Sequence, residues 1–230
     1  MAKDTMDVIH SILSANQYQP PQKTDVGVLA KPLVTISRMY GANGSAIANL
    51  LAETLGVQLY DRELLKAVVK EAKGNAHIME QLDERATTAM DDIIQGFFVD
   101  KGSANSNFFR YMVKVILGIS SSGGVIVGRG AHLVIPTNRP TLRVRIEGSL
   151  DMCTKRVAKR LEIKERKAEK IIIEKNRDRD KFVEKIASKY PNPRAYYDLT
   201  INTDFFEPER VVRIILVALR EIGFPVPTLV

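Results

Sequence analysis

The 230-residue chain is poor in the residues that build several large classes of protein. It holds one cysteine, three histidines and no tryptophan, and aromatic residues make up 7% of it. A single cysteine, Cys153, excludes an internal disulfide and any cysteine-based metal cluster. His10, His77 and His132 stand far apart in the sequence, which argues against a zinc site. No uncharged apolar run approaches the roughly 20 residues needed to cross a bilayer, so no membrane span is expected. Lys3, Asp4 and Asp7 precede any apolar stretch, and no signal peptide can be drawn there. Secreted disulfide scaffolds, zinc modules and transporters are thereby excluded, and a reducing, cytoplasmic setting is expected.

What is present fits an ordinary globular protein. Hydrophobic residues make up 45%, and 34 Lys plus Arg against 27 Asp plus Glu give a net charge of +7. The length suits one α/β domain with or without an appendage. The basic excess is uneven: residues 151–185 hold 13 Lys/Arg against 8 Asp/Glu, a net of +5. Such a segment can face phosphates, or it can be a solvated helix whose charges pair at i,i+4. It lacks the interleaved aromatics that stack bases, so a nucleic-acid partner is not expected.

Along the chain, residues 1–31 read as an N-terminal appendage. A short helix with Met6, Val8, Ile9, Ile12 and Leu13 on one face is followed by a linker that begins at Pro20-Pro21. From Pro32 the pattern changes. Leu33–Ser37 is a short β-branched run of the kind that forms a buried parallel strand. A loop of small residues, Tyr40–Ser45, feeds a helix with Ile47, Leu50, Leu51 and Leu55 at helical spacing and Gly56 beyond its end. Val57–Tyr60 makes a second strand. Residues 63–122 read as a helical insert broken at Gly74-Asn75, Gly96 and Gly102-Ser103. Residues 124–128 and 141–146 are further strands. Residues 149–162 form a helix capped by Ser149, with Leu150, Cys153, Val157 and Leu161 as its apolar face. Residues 163–192 form a charged lid region ending near the hinge Pro191-Asn192-Pro193, residues 198–202 a fifth strand, and Pro208 opens a last helix. Strands alternating with helices predict an α/β fold: a five-stranded parallel sheet with helices on both faces, carrying a helical insert and a lid.

Three segments can carry chemistry. The loop Gly41-Ala42-Asn43-Gly44-Ser45 presents backbone amides and a helix N-terminus to an anion, although it can equally be a tight turn. It lacks the lysine and following hydroxyl of the phosphate-binding loop: Gly44 and Ala46 stand in those places, leaving Ser45 as the nearest hydroxyl and Arg38 as the nearest cation. Gly128-Arg129-Gly130 lies just past the third strand, where ligands of open parallel sheets bind, and a guanidinium there can grip a phosphate or local carbonyls. His132, close by, reads as a packed histidine. The run Asn176–Phe182 contributes Arg177, Arg179 and Lys181, either as an exposed helix face or as lid cations that close over phosphates.

The segments Val34–Ala48, Leu59–Glu63, Val125–Ala131, Asp178–Val183 and Tyr197–Thr203, taken in order, resemble the blocks of the cytidylate kinase-like family. The resemblance covers about residues 32–223. It implies a P-loop nucleoside monophosphate kinase fold using ATP and Mg²⁺. Gly41, Ala42, Asn43, Gly44 and Ser45 would hold the donor phosphates, with Ser45 nearest the metal. Asp61, Arg62 and Arg129 would line the acceptor nucleotide. Arg38, Arg177, Arg179 and Lys181 would supply the transfer cations. The implied reaction moves the γ-phosphoryl of ATP to a nucleoside monophosphate, cytidylate first. The departures in the loop favour a second reading, a nucleotide-binding sensor with little turnover. A further departure is Gly130, where true cytidylate kinases carry an acidic residue.

Overall fold

The computed structural model describes residues 5–14, 31–75, 77–78, 104–136, 139–188 and 197–227, with the backbone alone at 104–108 and 110. Its elements are α1 (Thr5–Ser14), β1 (Leu33–Arg38), α2 (Gly44–Leu55), β2 (Leu59–Tyr60), α3 (Arg62–Gly74), α4 (Ala104–Ser122), β3 (Gly124–Val127), α5 (Ala131–Val134), β4 (Leu142–Glu147), α6 (Leu150–Leu161), α7 (Glu165–Ala187), β5 (Leu199–Asn202) and α8 (Pro208–Ile222). The five strands form one sheet in the order β2-β3-β1-β4-β5, and every neighbouring pair is parallel. The chain leaves β1 towards the β2 edge and leaves β4 towards the β5 edge. The connections therefore diverge at the β1/β4 boundary, where doubly wound sheets open a crevice beyond their carboxyl ends.

Alternation along the central strand divides the core in two. Val34 and Ile36 look to one face, packed with Ile47 and Leu51 of α2, Val157 of α6, Ile172 of α7 and Ile215 and Leu219 of α8. Leu33 looks to the other, with Tyr60, Ile126 and buried residues of α3, α4 and α5. The predicted N-terminal helix forms as α1, and Val8, Ile9 and Ile12 are buried in this second cluster. Helix ends follow local chemistry. Ser149 Oγ accepts from Met152 N, Asp61 Oδ1 accepts from Glu63 N and Leu64 N, and Gly56 and Gly223 close α2 and α8 in the left-handed conformation.

Some expectations need correction. β2 is shorter than 57–60 because Val57 N bonds back to Ala52 O at the end of α2, leaving only Leu59 and Tyr60 in register with β3. The packed stripe of α6 is Cys153, Thr154, Val157 and Ala158. Leu150 and Leu161, in its first and last turns, are 41% and 43% exposed. The break at Gly74-Asn75 forms as read, with Asn75 Oδ1 accepting from His77 N and Ile78 N. The linker at Pro20-Pro21, the breaks at Gly96 and Gly102-Ser103 and the hinge at Pro191-Asn192-Pro193 lie outside the described residues. Among those described, no helix is long and apolar enough to cross a membrane.

The second face carries polar groups as well. His132 is buried on α5, with Nδ1 3.3 Å from Ser37 Oγ and its ring 4.8 Å from that of Tyr197. Its Nε2 is buried without a hydrogen-bond partner. Burial, with Arg143 and Arg145 nearby, pushes its pKa down to about 4.

Two outcomes follow. Ile172→Ala lowers unfolding free energy by about 2–5 kcal/mol in urea titrations, whereas Leu161→Gln changes it by less than about 0.5 kcal/mol. Stability also falls as pH drops below 6.5, because the unfolded chain takes up a proton that the buried ring refuses until about pH 4. The full loss, reached below about pH 4, is on the order of 3 kcal/mol, and it disappears from the pH profile of His132→Asn.

Candidate functional site

Two loops and one helix meet at the carboxyl edge of the sheet. The first loop, after β1, turns into α2 through Asn43, which is left-handed (φ 57°) and provides no side-chain cap. The first helical bond runs from Ile47 N to Asn43 O, so the amides of Gly44, Ser45 and Ala46 have no intrahelical acceptor. They give that end of the helix the partial positive charge that attracts anions. The loop is held from behind. Gly41 packs on Cys153, and Thr203 Oγ1 lies 3.4 Å from Ala42 O and 2.9 Å from Glu147 O. Arg156 clamps Thr203 through both its hydroxyl and its carbonyl, at 3.0 and 2.6 Å.

Arg38, the last residue of β1, runs beneath this loop. A Cβ on Gly44 would lie 2.7 Å from Arg38 Cβ and 2.9 Å from Cδ, closer than side chains approach one another. The guanidinium reaches the second loop, its Nη1 lying 3.2 Å from the place a Cβ on Gly128 would take. That second loop is three consecutive left-handed residues, Gly128 (φ 73°), Arg129 (φ 58°) and Gly130 (φ 65°). Holding Arg129 in this region costs on the order of 1 kcal/mol or more, which surrounding contacts must offset. A Cβ on Gly130 would collide with Ile186 Cδ1 of α7. The position that departs from the acidic residue of true cytidylate kinases is thus filled by packing.

α7 crosses both loops as one continuous helix. Asn176 Oδ1 accepts from Tyr40 N at 2.8 Å, and Arg179 Nη1 donates to Arg38 O at 2.8 Å. The Tyr40 ring lies under two guanidiniums, Arg160 at 5.2 Å and Arg179 at 5.5 Å. Further along, Phe182 lies 5.5 Å from the Arg129 guanidinium and 5.3 Å from the Phe109 ring of α4.

Of the residues singled out in the sequence, Arg38, Arg129 and Arg179 are brought together. Each is half-buried and loses proton affinity chiefly through burial. For Arg38 the pKa drops to about 10, with Arg179 and Arg129 lowering it further and Asp61 opposing them. Among the described residues none of the three is ion-paired. Asp61 faces Arg38 while capping α3, and Arg62 lies exposed beside Glu63 at 3.6 Å. Ser45 is exposed in the first turn of α2. Arg177 and Lys181 are exposed on α7. Among the described residues no group of three or more His, Cys, Asp or Glu converges as a metal site. Asn176, Tyr40, Arg156 and Ile186 were not assigned roles from the sequence. Asn176 was within reach, because it sits three residues, nearly one helical turn, before Arg179.

The sequence profile described as the cytidylate kinase-like family matches residues 33–205. No curated protein matches the chain. Among solved structures, an uncharacterized protein from Eubacterium ventriosum ATCC 27560 is 22% identical, with a TM-score of 0.66 over 83% of this chain and 99% of that one. The shikimate kinase from Bacteroides thetaiotaomicron is 14% identical, with a TM-score of 0.45 over 82% and 98%. The gluconokinase from Sinorhizobium meliloti 1021 is 11% identical, with a TM-score of 0.44 over 85% and 95%. At these identities the first likeness speaks for the fold alone, and the other two carry no further argument. The profile match runs from the first residue of β1 past the end of β5 and takes in both glycine loops and α7. The chain therefore belongs to the cytidylate kinase-like family and has its P-loop kinase fold.

Proposed function

We propose that this protein transfers the γ-phosphoryl group of ATP to a small phosphate-bearing acceptor, a nucleoside monophosphate of the cytidylate type. The observation that carries this reading is the meeting of Arg38, Arg129 and Arg179 from three different elements, with no ion-paired carboxylate on any of them among the described residues. Half-buried guanidiniums that repel one another need an anion with several charges, and a chain of phosphates has them.

In this reading the amides of residues 41–45 hold the donor phosphates. Arg38 lies between the two loops, where the transferred group would pass. Arg129, with Arg62 and Asp61, faces the acceptor, and Arg179 closes the site from α7. Catalysis is then positioning and charge neutralisation, with no covalent step on the protein. Arg177 and Lys181 contribute only to the surrounding positive potential. The residues do not fit a metal held by the protein. Ala46 stands where true cytidylate kinases carry a threonine, Ser45 is exposed, and Asp61 caps α3 through Oδ1 and faces Arg38. A second reading, a nucleotide-binding sensor with little turnover, is favoured by Gly44 and Ala46, which carry neither the loop cation nor the hydroxyl.

The deciding experiment is phosphoryl transfer from ATP to a panel of nucleoside monophosphates, read by product. Formation of CDP or dCDP is expected. No product from any acceptor, with ATP still bound, overturns the kinase reading and leaves the sensor. In the active protein Arg179→Met lowers kcat by roughly a hundredfold to a thousandfold, while Arg177→Ala and Lys181→Ala leave it within a few-fold.

A further inference from the structure

The loop after β1 has lost its lysine, yet the space that side chain would use is not empty. The stem of Arg38 fills it, passing so close beneath Gly44 that no larger residue fits there while Arg38 stays. The head then emerges beside Gly128, between the two loops, in company with Arg129 and Arg179. Among the described residues few carboxylates reach this cluster: Asp61 caps α3 and faces Arg38, Glu63 lies beside Arg62 and Lys66 and acts on Arg129, and Asp180 follows Arg179 on α7. A divalent cation held here by the protein would have few ligands and several guanidiniums to repel it.

We propose that Arg38 replaces the loop lysine from below, and that the site grips a polyphosphate with guanidinium groups instead of through a protein-held metal. The inference rests on the phosphoryl-transfer reading only in taking a polyphosphate as the bound anion. Free polyphosphate is then the preferred form. Mg²⁺ on the phosphates neutralises charge that the arginines are placed to meet, so it does not tighten binding and can weaken it.

Calorimetric titration of the full chain with tripolyphosphate and with ATP, each in EDTA and in excess Mg²⁺, tests this on the unaltered protein. Affinity in EDTA equal to or tighter than in Mg²⁺ is expected. Binding that needs Mg²⁺, or tightens about tenfold with it, overturns the proposal, as does the absence of binding to either anion. Arg38→Met keeps the stem under Gly44, and circular dichroism checks its fold. It is expected to weaken tripolyphosphate binding in EDTA by about tenfold or more. Unchanged affinity in this variant refutes the role given to Arg38. Arg38→Gly combined with Gly44→Lys removes the Cβ and stem that crowd position 44 and returns the lysine to the loop. It is expected to bind more tightly than Arg38→Gly alone, and failure to do so, with the fold intact by circular dichroism, removes the claim that Arg38 replaces the lysine. Metal-independent binding without transfer to any acceptor leaves this inference standing and sinks the kinase reading. Metal-dependent binding with normal transfer does the reverse.

Discussion

The carboxyl edge of the sheet depends on the room that Gly44 leaves for the stem of Arg38. Any Cβ at position 44 would meet three carbons of that stem. The glycine that opens α2 and the arginine that ends β1 are therefore one choice made at two positions. With the stem in place, the guanidinium is carried from beneath the first loop to the edge of Gly128. The loop amides stay open above it, because Asn43 does not cap them. Backbone dipoles and a side-chain cation thus face one region from two sides.

The same exchange of a side chain for a packing contact recurs at Gly130. There the space of a side chain is taken by Ile186, and the loop gains an apolar contact with α7 in place of a carboxylate. Each exchange ties a site loop to a distant part of the chain. α7 is the element that profits: Asn176 and Arg179 fasten it to the first loop, Ile186 and Phe182 to the second. A rotation of this helix would break polar contacts at one end and apolar ones at the other, so its position is set at both loops together.

The fold was legible in the sequence because it rests on local signals. Short β-branched runs, Ser149 as a cap and Gly56 as a terminator each act within a few residues, and the alternation of strands and helices specifies a parallel sheet. The errors fall where local signals end. Leu150 and Leu161 share the helical period of Cys153 and Val157, but their burial depends on neighbours the sequence does not place. The three site arginines were legible as cations near glycine loops, whereas their meeting was not. The bonds that join α7 to the first loop span 136 and 141 residues. The charge alternation of residues 176–182 also hides which side faces inward. Only the helical period separates Asn176 and Arg179 from the exposed Arg177 and Lys181, with the apolar Ile172 and Ile186 marking the inner side.

A cluster of half-buried guanidiniums works against the fold that carries it. Burial removes part of their hydration, and mutual repulsion adds to the cost, as the depressed proton affinity of Arg38 reflects. The contacts around them offset this only in part, through the carbonyl of Arg38, the ring of Tyr40 and the ring of Phe182. Repelling charges and a strained turn at Arg129 lie within one region, and each lowers stability when the site is empty. On the proposed reading a bound polyanion would relieve this repulsion, and by linkage its binding would stabilise the whole domain. The instability stored around Arg38 and an affinity for phosphate would then be the same property, seen without and with its ligand.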